Sequence, residues 1–129
     1  MTELVISQEA NTVIATNQVI ADLAAMAKNP EKLVPPDLIN EMRADRIGYR
    51  MRLLREAQGL LPSEMADRLE IERTYWSRFE NGKRRINDNL AALLVSRFGV
   101  TLDFLLLGKW DKLPMDLADA MREADLKNK

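Results

Sequence analysis

Cysteine and histidine are both missing from these 129 residues. Zinc sites of the usual kind need thiolates or imidazoles, and nucleophilic catalysis by Cys or His needs the same groups, so both are excluded. Disulfides are excluded with them, and the redox compartment leaves no mark on the chain. No apolar run approaches the length of a membrane span, and no secretory signal is expected to precede the fold. Asp, Glu, Lys, Ser and Tyr are available for chemistry. They form neither a glycine-rich phosphate loop nor a carboxylate cluster with active-site spacing. Neither an enzyme nor a metal or organic cofactor is expected. Aromatic residues are scarce at 5 %, and neither strand alternation nor an internal repeat occurs. What remains is an apolar content of 47 % laid out in helical periods. This points to an all-α chain with one compact domain and appendages.

The net charge of −1 hides an uneven distribution. Residues 1–42 carry two Lys against six Asp or Glu, a balance of −4. Residues 43–85 carry eleven Lys or Arg against seven acids, a balance of +4, and residues 86–129 come to −1. A phosphate partner responds to the local patch rather than to the total.

The basic segment holds the most informative stretch, residues 72–83. Trp76 and Phe79 stand three apart and face inward. Arg73, Thr74 and Ser77 fall on the opposite side, with Arg78 flanking. Asn81-Gly82 supplies a left-handed stop, and Lys83-Arg84-Arg85 follow at once. Before it, Pro62 opens a two-turn helix with Met65 and Leu69 on one face and Ala66 small enough for a close neighbour. Helix, short turn, helix is the unit whose second helix enters the major groove of duplex DNA. Further upstream, residues 46–57 read as an amphipathic helix, with Ile47, Met51 and Leu54 inward and Arg50, Arg52 and Arg55 outward.

Ile47-Gly48-Tyr49-Arg50-Met51-Arg52, Arg55, Ala66, Trp76-Ser77, Phe79-Glu80-Asn81-Gly82-Lys83 and Asp103-Phe104-Leu105-Leu106-Leu107-Gly108 agree in order and spacing with one known family. Over about residues 46–108 the chain resembles the lambda-repressor-like, Cro/XRE-type helix-turn-helix domain. The resemblance implies a five-helix bundle that binds operator DNA, usually as a two-fold dimer, and regulates transcription in the cytoplasm. The sequence departs from that pattern at three places. Leu61-Pro62 replace the usual Thr or Ser followed by Gln, which removes a phosphate-holding side chain. Glu70 stands where the turn usually has Gly, and either takes the glycine's backbone conformation with some strain or makes the turn differ. Glu72 replaces a Ser or Thr cap, although a carboxylate still suits the positive end of a helix.

On this reading Arg73, Thr74, Ser77 and Arg78 are the candidate base-reading residues, with Arg73 and Thr74 best placed. Ser63, Asn81, Lys83, Arg84 and Arg85 are the candidate phosphate contacts. Glu80 is expected to pair internally with an arginine such as Arg50 or Arg55, since it would repel phosphate.

Outside the motif, Ser7 is read as the cap of a helix over residues 8–28 that Asn29-Pro30 stops. Lys32-Leu33-Val34-Pro35-Pro36 reads as a stiff extended connector. A helical stretch from Pro36 then either runs into the first core helix or breaks near Asp45. Asn87 or Asp88 caps a helix through Phe98, Thr101 caps a short one, and Pro114 opens a last helix with Met115, Ala118, Met121 and Ala124 on one side. The expected division is 1–42 as an arm, 43–108 as the DNA-binding domain and 109–129 as a C-terminal helix. Val13, Ile14, Ile20 and Ala24 give the arm an apolar stripe, assigned to a homodimer contact, with the C-terminal helix second. The alternative function is an antitoxin, in which the acidic arm binds a toxin protein while the same domain binds its own operator.

Overall fold

The computed structural model describes residues 30–129 together with Asn17, Val19 and Ile20. They fall in two compact units, 1–36 and 37–129. In the first, Asn17, Val19 and Ile20 are helical, and Pro30–Leu33 forms a 3-10 turn where an extended connector is expected. The rest of the expected helix over 8–28, including Val13, Ile14 and Ala24, lies outside the described residues.

The remainder is helical, with no strand among the described residues. In chain order the helices are α1 (Pro36–Glu41), α2 (Ala44–Ala57), α3 (Pro62–Leu69), α4 (Arg73–Glu80), α5 (Asp88–Phe98), α6 (Leu102–Leu107) and α7 (Met115–Lys127). The break between α1 and α2 falls at Met42-Arg43, where Arg43 takes an extended conformation and its guanidinium reaches forward to Asp45 at 2.7 Å. Side-chain caps start two helices. The Asn87 side chain accepts from the Leu90 N–H at 2.8 Å, and the Thr101 hydroxyl accepts from the Phe104 N–H at 3.0 Å.

α2 is the central strut, packed by α4, α6 and α7. Ile47, Met51 and Leu54 of α2 are buried with Met65, Ala66 and Leu69 of α3, Trp76 and Phe79 of α4, Leu94 of α5, Phe104 and Leu105 of α6 and Met121 of α7. Each fully buried side chain of this kind contributes about 1.5–3 kcal/mol against the entropy of ordering the chain.

Two of the arginines expected on the outside of α2 are buried. Arg50 donates to the backbone carbonyls of Glu41 at 2.8 Å and Leu105 at 3.0 Å, and pairs with the Glu41 carboxylate. It thereby ties α1 and α6 to the strut. Arg55 is buried at the other end of the helix. Only Arg52 stays at the surface, paired with Glu56 one turn on. A guanidinium can be buried when every donor edge meets an acceptor, and hydrophobic periodicity alone cannot foresee that.

α7 turns its apolar line into its own domain. Met121 and Ala124 are buried and Leu117 packs against the core, whereas Met115 is 77 % exposed. The buried stripe is thus Leu117, Met121 and Ala124, and Met115 does not belong to it. The Tyr49 hydroxyl donates to Asp125 at 2.5 Å, and the Asn128 amide donates to Glu56 at 2.7 Å, so both pin α7 to α2. Burial, reinforced by the Asp125 carboxylate, pushes the Tyr49 phenol up to about 12, which keeps its proton on that bond.

Candidate nucleic-acid interface

α3 and α4 meet across a three-residue turn, and the sequence of that turn decides how they meet. Pro62 occupies the first helical position of α3, where its missing N–H costs nothing. Leu61 has no acceptor to cap with. Glu64 supplies the return half of a capping box instead, its carboxylate accepting from the Leu61 N–H at 2.8 Å. At the other end Glu70 stands at φ 60°, ψ 41°, the left-handed conformation that stops α3. The Ile71 N–H then bonds back to the Ala66 carbonyl at 3.0 Å. No other non-glycine residue among those described has a positive φ. A side chain there costs about 1–2 kcal/mol relative to glycine. Glu70→Gly is therefore expected to raise the melting temperature by about 5 °C, while Glu70→Ala, which removes the charge but keeps the strain, should leave it nearly unchanged. Thermal denaturation of both variants checks this.

α4 is seated by its inner face. Trp76 and Phe79 are fully buried, and Tyr75 packs edge-on against Phe79 with ring centroids 4.8 Å apart. Glu80 closes the seat. Its carboxylate accepts from Arg55 Nε at 2.8 Å and Nη2 at 2.7 Å, and also from the Trp76 indole at 2.5 Å. Arg55 spends another donor on the Leu60 carbonyl at 2.7 Å. Of the two arginines expected for Glu80, Arg55 is the partner and Arg50 is not.

The outer face of α4 carries the predicted reading residues. Arg73, Thr74 and Arg78 are exposed and Ser77 is half-buried, its hydroxyl accepting from the Asn81 amide at 3.1 Å. Glu72 precedes α4 in an extended conformation, but its side chain makes no capping bond. Gly82 follows at φ 72°, so close to Asp45 that an added Cβ would lie 2.8 Å from the Asp45 Cα. The Lys83 and Arg84 N–H groups both bond to the Arg78 carbonyl, which winds the basic run around the end of α4. Lys83, Arg84 and Arg85 are exposed beside Asn81, while Ser63 lies half-buried at the start of α3. The Arg84 guanidinium lies 5.0 Å from the centre of the Tyr75 ring. This contact holds it near α4 rather than free in solvent.

Charge at the surface is distributed differently from charge in the sequence. Arg50 and Arg55 are buried, and Arg43, Arg46, Arg52 and Arg73 are ion-paired. Of the eleven cations in 43–85, this leaves Arg68, Arg78, Lys83, Arg84 and Arg85 exposed with no ion pair to another described residue. Four of these five gather at the C-terminal end of α4.

Arg73 has a partner that sequence reading missed. Its Nε and Nη2 donate to the two carboxylate oxygens of Asp67 on α3, at 3.2 and 2.8 Å. Hydrogen bonding to Arg73 holds the Asp67 carboxyl below the usual carboxylate range. The only signal in the sequence is a spacing of six across a turn, which acquires meaning once the angle between α3 and α4 is known.

A comparison with protein families matches residues 46–104 to the family described as the helix-turn-helix domain. Residues 46–104 are similar to that helix-turn-helix domain, and α3 and α4 are its two characteristic helices. The match runs from the first turn of α2 into α6, and it bears out the resemblance and the all-α bundle expected from the motifs. No curated protein and no solved structure matches the chain. A helix-turn-helix domain of this kind marks a DNA-binding regulator, in a family that is typically non-enzymatic. No helix among the described residues is long and apolar enough to cross a membrane.

Proposed function

We propose that this protein is a cytoplasmic, sequence-specific duplex DNA-binding repressor of transcription that acts as a homodimer with α4 as its recognition helix. One observation carries the reading. α4 buries Trp76, Phe79 and Glu80 on one side and leaves Arg73, Thr74 and Arg78 exposed on the other, with the unpaired cations collected at its C-terminal end. Phosphate contacts from Asn81, Lys83, Arg84 and Arg85, joined by Ser63 at the start of α3, set position, and base contacts from Arg73, Thr74, Ser77 and Arg78 set sequence. Arg73, in the first turn, suits a bidentate contact to guanine O6 and N7.

A helix of eight residues reads few base pairs, so selectivity calls for two half-sites about one helical turn apart. The arm preceding the domain is the dimer contact in this proposal. Val19 and Ile20, both more than half exposed, support that assignment.

Selection from random duplexes with the full-length protein tests the proposal. The expected product is a two-fold repeated site with half-sites about one turn apart. Arg73→Ala should relax the preference at one position per half-site by roughly tenfold. Recovery of no preferred sequence would overturn the DNA-reading function. A single unrepeated half-site would overturn the dimer.

A further inference from the structure

The geometry points to Asp67 as a positioning residue for Arg73, holding one edge of its guanidinium so that the other edge is presented to a guanine. The inference rests on the proposed role of Arg73 as a base-reading residue and adds a second specificity determinant on α3.

A guanidinium has two edges suited to bidentate bonding, one formed by Nε with one terminal nitrogen and one formed by the two terminal nitrogens. Asp67 takes the first, through Nε at 3.2 Å and Nη2 at 2.8 Å. The pair spans the turn between α3 and α4, and both side chains stand in solvent, 68 % exposed for Arg73 and 58 % for Asp67. An ion pair so exposed contributes little to stability. Its effect lies in conformation. An unpaired arginine at the start of a recognition helix samples many rotamers and must be ordered when it binds. Pairing with Asp67 biases Arg73 toward one of these rotamers, with its guanidinium in the plane of the carboxylate. The second hydrogen on Nη2 and both hydrogens on Nη1 are left for an acceptor pair such as guanine O6 and N7.

The arrangement has an electrostatic cost. A carboxylate on α3 repels phosphate, so Asp67 weakens binding to every duplex while it sharpens the reading of one base. These two effects have opposite signs in two measurements, which makes them separable.

The test uses full-length protein and three kinds of duplex: the selected site, the same site with the Arg73 base pair changed, and a random sequence. For Asp67→Asn, the ratio between the first two should fall roughly fivefold, a part of the loss given by Arg73→Ala. Binding to the random duplex should hold or tighten. Asp67→Glu, which keeps the charge, should retain more of the ratio than Asp67→Asn. In an Arg73→Ala background, Asp67→Asn should change the ratio no further, because the residue acts only through Arg73. An Asp67→Asn protein that binds all three duplexes more tightly by one common factor would overturn the inference and reduce Asp67 to a repelling charge. If Arg73→Ala itself leaves the ratio unchanged, the base-reading role of Arg73 fails, and the inference falls with it.

Discussion

Glu80→Ala is expected to lower the stability of the helix-turn-helix domain by about 3 kcal/mol, because it strands a buried cation. Arg55 and Glu80 have side chains only 8 % and 9 % exposed, and they meet through two hydrogen bonds of 2.8 and 2.7 Å. With the carboxylate gone, Arg55 keeps the Leu60 carbonyl and a distant Glu56 at 3.7 Å, and the Trp76 indole loses its acceptor. Removing one member of a buried pair costs about 3–5 kcal/mol, and the residual contact to Glu56 places this case at the low end. For a unit of this size that is a fall of about 15 °C in melting temperature. Replacing both partners with apolar residues, Arg55→Met with Glu80→Leu, should recover most of the loss, since no charge is then left buried. A double variant as unstable as Glu80→Ala would show instead that the hydrogen-bond geometry, not the charge, holds α4 in place.

Gly48→Ala should be at least as damaging, and its sign is the informative part. In a solvent-facing helix, exchanging glycine for alanine gains about 1 kcal/mol. Gly48 is buried in α2, and an added Cβ would lie 2.5 Å from the Phe79 carbonyl oxygen and 2.6 Å from that of Glu80. Both oxygens are backbone at the end of α4, so no rotamer can relieve the clash. The helices must separate, at a cost of about 3 kcal/mol, the upper end of the usual range for overpacking. Because α4 is the element displaced, and is the recognition helix of the proposed function, DNA binding should fall further than the population of folded protein accounts for. Denaturant titration and DNA binding, measured on the same preparation, separate the two effects. A gain in stability would mean that α2 and α4 do not cross at Gly48.

Those two positions show where sequence reading succeeds and where it stops. The helix boundaries were legible because their signals are local: Pro62 opening α3, Asn87 and Thr101 capping α5 and α6, and Gly82 providing a left-handed stop after α4. Burial of Trp76 and Phe79 followed from their spacing. The left-handed backbone at Glu70 was legible only through the resemblance, which places a glycine at that point of the turn, and the structure keeps that conformation rather than a different turn. The fates of the arginines were not. Arg50, Arg52 and Arg55 look alike along α2, yet two are buried and one is exposed, according to which acceptors the other helices bring. The +4 of the basic segment was correct as a sum, but it overstated the cations left for phosphate, because ion pairing is a tertiary property. Asp67 went unnoticed for the same reason. Its role depends on a distance between two helices, and residue spacing does not encode that distance.

α2 receives α4 on one side through Gly48, Arg55 and the core, and on another it receives α7 through Tyr49, Met121 and Asn128. Anything that pried α7 loose would therefore act on the beam that carries α4. In mechanical terms the last helix is the far arm of a lever whose near arm is the helix proposed to read DNA, with α2 as the fulcrum.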